Sequence, residues 1–365
     1  MKEIRVRLLS LLALLLPMSI TPVAAADADP FADAKAIIAD IERIVTPNGV
    51  EEMFTAKIGG IDQWLQVRGR DRDNPLLLYL HGGPAAPVMP WAWTFQRPWE
   101  EFFTVVQWDQ RGAGKTYHAN DPEQVAPTIH IEQFVADTLE VIELLRKRYN
   151  KDKVIVLGHS WGTIIGLEAA RRRPEWVHAY VGIGQVISVR ENERVGYEYA
   201  LRMAKLHDNQ EAIRELEALA PYPGEEFTPE RVGQQRKWAQ YYWGLSAYRH
   251  DSEQYFKSFR LSPVYSPADR AALNAGSELT LGRILDEWAA VDFRKVRQMQ
   301  VPVIMFMGRH DYTTPSQPTA DWLAALEAPV KHGIWFEHSA HLAPLEEPGK
   351  VLIELVNRVL PLAQE

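Results

Sequence analysis

The chain has 365 residues, of which 46% are hydrophobic and 24% are charged. That much apolar material suffices for one large core, and the charge content excludes a wholly disordered chain and a protein of many membrane spans. A formal net charge of −8 disfavours nucleic-acid binding, and the absence of cysteine excludes disulfides, thiolate metal sites and a cysteine nucleophile.

The N-terminal segment has the composition of a secretory signal. Three basic residues among the first seven precede an apolar run at 8–20, and small residues at 23–26 supply a cleavage site near Ala25 or Ala26. A run of about 13 residues is too short to span a bilayer comfortably. We therefore expect residues 1–25 to be a cleaved signal peptide. The mature protein would then be periplasmic or secreted and would not span a membrane.

Helical and strand patterns alternate along the rest of the chain. Isoleucines at 37, 38, 41 and 44 predict a short amphipathic helix over 31–45, and a β-hairpin is expected around Gly59-Gly60. Apolar runs predict buried strands at 76–80, 103–108, 154–157, 180–183, 303–307 and 333–336. Helices are predicted at 131–149, 161–172 and about 348–360. Short buried runs that alternate with helices predict an α/β fold, with a mostly parallel central sheet flanked by helices.

The stretch 187–295 interrupts this alternation. It contains no obvious buried strand, and helices fit at 191–207 and 209–218. Its aromatic residues include Trp238, Tyr241, Tyr242, Trp243 and Trp288. We therefore predict a helical cap over 187–295, inserted between two parts of a core domain at 26–186 and 296–365.

A candidate nucleophile lies in the sequence Gly158-His159-Ser160-Trp161-Gly162. This Gly-x-Ser-x-Gly pattern follows an apolar strand and precedes a helical segment, which is the setting of the sharp turn that exposes a nucleophilic serine. The flanking glycines let strand and helix approach, and the helix N-terminus stabilises negative charge. A plain glycine-rich turn with a solvated serine is the alternative, which the strand–turn–helix setting disfavours.

A serine nucleophile needs a base, and the base needs an orienting carboxylate. In chains with this turn the order is serine, then acid, then histidine. Asp311 follows a late strand and is the candidate acid, whereas Asp321 competes from within a predicted helix. His338 and His341 both follow the last strand, and the reach of the loop favours His341.

Attack on a carbonyl also requires N–H donors for the developing oxyanion. One donor is the backbone N–H that follows the nucleophile, here that of Trp161. The second is expected in the His-Gly-Gly-Pro loop at 81–84, because glycines there let backbone amides point into the site. Gly83 is the preferred donor, with Gly82 close behind.

Two further patterns fail as cofactor or metal sites. The sequence 112–116 resembles the end of a phosphate-binding loop, but Asp109 stands where that motif requires glycine. Asp109 and Arg111 are instead expected to brace loops near the site. His338 and His341 have a spacing that zinc ligands use, but a third and a fourth ligand are not apparent. We expect no metal and no cofactor.

Taken in chain order, the motifs resemble the proline iminopeptidase (prolyl aminopeptidase) family of α/β-hydrolases. They lie at 81–84, 109–114, 158–162, 308–311 and 339–341. The resemblance extends from about 50 to 360 and is strong in the core and weak in the cap. It implies an α/β-hydrolase fold and a Ser160–Asp311–His341 triad. It also implies an oxyanion hole from Gly83 and Trp161, and a helical cap over the site.

The chain departs from the family pattern at two positions. Ala85 replaces the last glycine of the usual His-Gly-Gly-Pro-Gly, and Thr116 replaces a serine. Family aminopeptidases hold the α-ammonium group of the substrate with cap carboxylates. Glu191, Glu193 and Glu198 are candidates for that role, although a solvated helical face explains them better.

The resemblance implies release of N-terminal proline, or of another residue, from small peptides. The alternative is an esterase, amidase or lactonase acting on an apolar small molecule. Trp91, Trp93 and Trp99 would line its pocket together with the aromatic cap, or would pack the cap against the core. A binding protein without activity is a third interpretation, disfavoured by the complete triad. Ser160 excludes epoxide hydrolase and dehalogenase chemistry, which needs a carboxylate at the turn. The sequence predicts no particular number of subunits.

Overall fold

The computed structural model describes residues 29–364, so the signal peptide predicted at 1–25 lies outside the described residues. The strands are β1 (Val50–Ile58), β2 (Ile61–Gly69), β3 (Leu76–Leu80), β4 (Thr104–Asp109), β5 (Val154–His159), β6 (Val177–Ile183), β7 (Val303–Gly308) and β8 (Lys331–Phe336). The α-helices are α1 (Ala32–Glu42), α2 (Gly114–Ala119), α3 (Pro122–Val125), α4 (Ile131–Tyr149), α5 (Trp161–Arg172), α6 (Val189–Leu206), α7 (Gln210–Glu217), α8 (Pro229–Ala239), α9 (Glu253–Lys257), α10 (Pro267–Ala289), α11 (Ser316–Ala325), α12 (Ala343–Glu346) and α13 (Pro348–Glu354). None of the helices within residues 29–364 combines the length and the apolar character needed to cross a membrane.

The eight strands form one sheet in the order β1-β2-β4-β3-β5-β6-β7-β8. β1 and β2 pair antiparallel, as do β2 and β4, and the remaining pairs are all parallel. The predicted α/β fold with a mostly parallel sheet is therefore confirmed. Parallel strands end at one edge of a sheet, so the loops that follow β3, β5, β7 and β8 meet there. Every residue proposed for the triad and the oxyanion hole follows one of these four strands.

The inner parallel strands β3, β5 and β7 are apolar along nearly their whole length because both faces of the sheet are covered there. Leu78 of β3 and Val156 of β5 belong to one core layer, and Leu77 and Ile155 belong to the other. All four side chains are fully buried. The continuous apolar runs in the sequence are thus two interleaved stripes, since successive residues of a strand point to opposite faces.

The amphipathic pattern of the first helix does not lead to its burial. α1 forms where helical periodicity predicts it, but none of its residues is buried. Ile37 and Ile41 are 61% and 56% exposed. Periodicity predicts a helix, but burial requires a facing apolar surface, and nothing within residues 29–364 covers these two side chains.

The chain between β6 and β7 carries five α-helices, α6 to α10, and none of the strands of the sheet. Two backbone hydrogen bonds join the beginning and the end of this insertion. The N–H of Val189 donates to the carbonyl of Val291 (3.1 Å), and the N–H of Phe293 donates to that of Ile187 (2.7 Å). The insertion thus leaves and rejoins the sheet at one place, beside the ends of the strands that carry the candidate triad.

A buried ion pair fixes the loop after β4 to helix α4. Arg111 donates to both carboxylate oxygens of Asp137, at 3.0 and 3.1 Å, and both side chains are fully buried. Asp137 also accepts from the amides of Gln63 and Gln133, each at 2.7 Å. Arg111 in turn donates to the carbonyl of Gly59 in the hairpin turn (2.9 Å). The expected bracing role of Arg111 is confirmed.

Asp137→Ala is expected to lower the free energy of unfolding by about 3–5 kcal/mol, because it leaves the Arg111 guanidinium buried without its counter-ion. The midpoint of urea unfolding measures this loss. Glu143→Ala is the matched control, since Glu143 lies on the same helix in an exposed pair with Lys147 (2.6 Å). It should cost less than about 1 kcal/mol. Equal effects of the two variants would contradict a structural role for the buried pair.

Candidate active site

Ser160 lies at the sharp turn between β5 and α5. Its backbone adopts φ +54° and ψ −121°, a conformation that a residue with a side chain rarely takes. Neighbouring structure holds it there. Its N–H donates to the carbonyl of Ile183 on β6 (2.9 Å), and its carbonyl accepts from the N–H (2.9 Å) and hydroxyl (2.6 Å) of Thr163. This is the geometry that the Gly-x-Ser-x-Gly pattern predicts.

The two glycines of the motif are required by close packing. A Cβ on Gly162 would overlap the carbonyl oxygen of Leu80, at the end of β3. A Cβ on Gly158 would lie 2.6 Å from the carbonyl oxygen of Gly162. The ends of β3, β5 and α5 therefore approach more closely than any side chain at these positions allows.

Asp311 and His341 form a buried hydrogen-bonded pair. The loops after β7 and β8 bring His341 Nδ1 to 2.9 Å from Asp311 Oδ2, and both side chains are almost fully buried. The other oxygen of Asp311 accepts the backbone N–H groups of Thr313 (2.9 Å) and Thr314 (2.8 Å). The carboxylate is thus fixed by the backbone on one side and orients the imidazole on the other.

Two residues that sequence reasoning missed also hold this pair. The hydroxyl of Thr314 lies 3.0 Å from Asp311 Oδ2 and 3.1 Å from His341 Nδ1. The carbonyl of Gly244, in the insertion, accepts the N–H groups of Tyr312 (3.1 Å) and Thr313 (3.0 Å). The pair of threonines just after Asp311 is the only sequence signal for the first contact, and the second has none.

Two buried histidines support the site as neutral rings. Burial lowers the pKa of His81 to about 4 and that of His159 to about 3. His159 Nε2 is 2.9 Å from the carbonyl oxygen of His341, and the two rings are 4.7 Å apart. His81 Nε2 accepts the N–H of Gln110 (3.2 Å). Both histidines thus brace loops and stay uncharged at neutral pH.

The loop after β3 lies against the nucleophile. A Cβ on Gly82 would be 3.0 Å from the Cβ of Ser160, and Gly83 has φ +116°. Trp161 is the first residue of α5, so its N–H has no partner within the helix. Ala85, where the family pattern has glycine, keeps the left-handed conformation with φ +57° and is 1% exposed. The loop therefore retains the backbone shape that glycine would favour.

A family model described as alpha/beta hydrolase fold matches residues 75–348. The chain belongs to the α/β-hydrolase fold family. The probable aminopeptidase YbaC of Bacillus subtilis (strain 168) is 30% identical over 301 residues, which are 81% of this chain and 92% of YbaC. A proline iminopeptidase of Heyndrickxia coagulans is 24% identical over 291 residues, covering 76% of this chain and 87% of that protein.

Solved structures agree with this assignment of the fold. The crystal structure of the proline iminopeptidase-related protein TTHA1809 from Thermus thermophilus superposes with a TM-score of 0.60 at 20% identity. The match covers 86% of this chain and 99% of that one. The α/β-hydrolase fold and the resemblance to proline iminopeptidases are both confirmed.

The three candidate glutamates of this α/β-hydrolase all lie on α6 but have different surroundings. Glu191 and Glu198 both pair with Arg194 on the surface of the helix. Glu193 is 2% exposed. It accepts from Arg236 of α8 (2.7 Å) and from the hydroxyl of Tyr222 (2.5 Å). Only Glu193 therefore faces the interior of the insertion.

The competing residues lie in other settings. Asp321 is exposed on α11, where it accepts from Gln317 (2.8 Å). His338 is exposed, and its Nδ1 lies 3.4 Å from the hydroxyl of Tyr248 rather than near Asp311. The structure thus brings Asp311 and His341 together, while Asp321 and His338 have other partners.

Asp109 has the expected bracing role. It accepts the N–H of Lys115 (2.8 Å) and the hydroxyl of Tyr265, which precedes α10. Burial raises the pKa of Asp109 to about 7. Its carboxyl group thus connects the end of β4 to the start of α2 and to the segment of the insertion that precedes α10.

Proposed function

We propose that this α/β-hydrolase is an exported serine aminopeptidase that releases proline or another N-terminal residue from small peptides. The observation that carries the proposal is the buried 2.9 Å contact between Asp311 and His341, at the sheet edge where the strained turn presents Ser160. YbaC and the proline iminopeptidase of Heyndrickxia coagulans are relatives along most of their length, which supports a peptide substrate with a free amine. The composition of residues 1–25 supports export.

The proposed reaction passes through an acyl-enzyme. His341 takes the proton of Ser160 as Oγ attacks the carbonyl carbon of the scissile bond. Asp311 fixes the tautomer of the imidazole and stabilises the imidazolium. The N–H groups of Gly83 and Trp161 bind the oxyanion. His341 then gives its proton to the departing amine, and a water activated by the same histidine hydrolyses the ester to regenerate Ser160.

Glu193 is the proposed contact for the α-ammonium group. It lies on the face of α6 that packs over the acid loop, because a Cβ on Gly196, one turn further along, would be 2.9 Å from the carbonyl oxygen of Tyr312. Its buried carboxylate already holds one cation, Arg236. Glu191 and Glu198, both engaged by Arg194 at the surface, are the weaker candidates.

Matched chromogenic substrates test the proposal. We would measure kcat/KM on prolyl and alanyl anilides, on their N-acylated forms and on short aryl esters, with Ser160→Ala as the blank. Cleavage of the free-amine anilides that N-acylation abolishes is the expected result. Turnover of esters with no dependence on a free amine would instead assign the chain to the esterases and amidases.

A further inference from the structure

A groove of about 510 Å³ opens beside the loop that carries Gly83. One wall is the end of that loop, residues 85–87. The opposite walls come from the insertion: residues 256–260, after the start of α9, and residues 270–277 of α10. We call it the arginine groove, because Arg260 and Arg270 line it.

The arginine groove adjoins the loop that packs against the nucleophile. Gly82 lies beside Ser160, since a Cβ on Gly82 would be 3.0 Å from the Cβ of Ser160, and the N–H of Ala86 donates to the carbonyl of Gly82 (3.1 Å). On the far side, the hydroxyl of Ser277 donates to the carbonyl of Pro84 (3.2 Å). One wall of the groove is thus the continuation of the loop that carries the proposed oxyanion donor Gly83, and the insertion is anchored to that wall.

One side of the groove is aromatic. Trp91 packs against Phe259 and Phe256, with ring centroids 5.6 and 6.3 Å apart. Phe256 is 43% exposed, which is unusual for so large an apolar side chain. Binding of a large apolar or aromatic side chain against this surface is favourable, because it removes apolar area from water.

The other side of the groove is positively charged. Among the described residues that line it, Arg260 and Arg270 are the only charged ones. Neither forms an ion pair with a carboxylate within residues 29–364, although Arg270 donates to the carbonyl of Tyr265 (3.4 Å). This is notable in a chain whose formal net charge is −8. Guanidinium groups bind carboxylates in a bidentate geometry, so the charge favours an anion beside the aromatic wall.

The position of the groove indicates which part of a substrate would occupy it. The proposed ammonium contact, Glu193, lies one turn before Gly196 on α6, and Gly196 packs against Tyr312 beside the acid, whereas the groove lies beyond the loop of Gly83. A peptide whose N-terminal amine contacts Glu193 must extend its remaining residues away from Glu193.

We propose that the arginine groove binds the leaving part of the peptide. An aromatic or large apolar residue lies against Trp91 and Phe256, and the free C-terminal carboxylate contacts Arg260 and Arg270. This inference rests on the proposed aminopeptidase function and narrows its substrates to dipeptides and tripeptides with a free carboxylate.

Kinetics on matched dipeptides test the inference. We expect kcat/KM for Pro-Phe to exceed that for Pro-Phe amide by about tenfold, mostly through KM, because a hydrogen bond to a charged group is worth that much. The double variant Arg260→Gln/Arg270→Gln should abolish this preference and leave turnover of prolyl anilide, which has no carboxylate, within about twofold. Arg283→Gln is the matched control, since Arg283 is exposed on α10 and does not line the groove.

Binding to the Ser160→Ala protein separates this inference from the proposed function. We would titrate it with 3-phenylpropanoate and 3-phenylpropanamide and follow tryptophan fluorescence, since Trp91 lies in the groove. Tighter binding of the carboxylate, lost when Arg260 and Arg270 are replaced by Gln, supports the groove even if free-amine substrates are not cleaved. In that case only the aminopeptidase proposal fails. Equal binding of the two probes would overturn the groove assignment even in an active aminopeptidase.

Discussion

Ser160→Ala is expected to lower kcat by about 10⁶-fold, because removal of the nucleophile of a serine triad causes a loss of about that size. The variant deletes one oxygen at a position where the backbone conformation is set by Ile183 and Thr163, so the turn should persist. The anilide or ester that the wild type cleaves fastest provides the assay. An unchanged thermal midpoint shows that the fold is intact.

Asp321→Ala and His338→Ala are the matched controls for this prediction. Both residues follow the same strands as the proposed acid and base, but both are exposed and have partners outside the site. Each variant should keep kcat/KM within about twofold of the wild type, as is usual for surface changes. Near-normal activity of Ser160→Ala, or inactivity of these two controls, would refute the assignment of the nucleophile or of its partners.

Strands β3 to β7 were predictable because each is a short, almost fully buried run between residues that favour turns or loops. β3 begins after Pro75 and ends before the loop at 81–84, so its bounds agree with the prediction. β5 ends in the motif that contains Ser160. In a parallel sheet, the loops that follow the strands all emerge at the same edge, so a residue known to follow a strand is known to lie at that edge. The main elements of the candidate site could therefore be placed from the sequence.

Contacts between distant elements could not be predicted in this way. Glu193 and Arg236 are 43 positions apart and meet only because α6 and α8 pack together. Three glutamates within one helix look alike as a pattern, and only the packing of the insertion distinguishes the buried one from its neighbours. The same reason explains Gly244, whose carbonyl reaches the acid loop through tertiary structure alone. Periodicity likewise could not show that Ile37 and Ile41 of α1 remain exposed.

Asp311→Asn is expected to lower kcat/KM by about 10⁴-fold at neutral pH, with little change in stability. The geometry determines how the new amide must lie. The N–H groups of Thr313 and Thr314 both point at Oδ1, so the carbonyl oxygen of the asparagine stays there. Its NH₂ group then replaces the oxygen that lies 2.9 Å from His341 Nδ1. To accept that hydrogen bond, the imidazole must carry its proton on Nε2, and it can no longer take the proton of Ser160.

Thr314→Val separates this tautomer effect from a general loosening of the acid loop. The hydroxyl of Thr314 touches both Asp311 and His341, at 3.0 and 3.1 Å, but the backbone N–H contacts to Asp311 do not depend on it. We expect this variant to lose about tenfold in kcat/KM, the value of one hydrogen bond to a charged group. The pH profile of kcat/KM should keep its shape, because Asp311 still fixes the tautomer. If Asp311→Asn and Thr314→Val lost equal activity, the carboxylate would be only a structural support, since a loosened loop would then account for both.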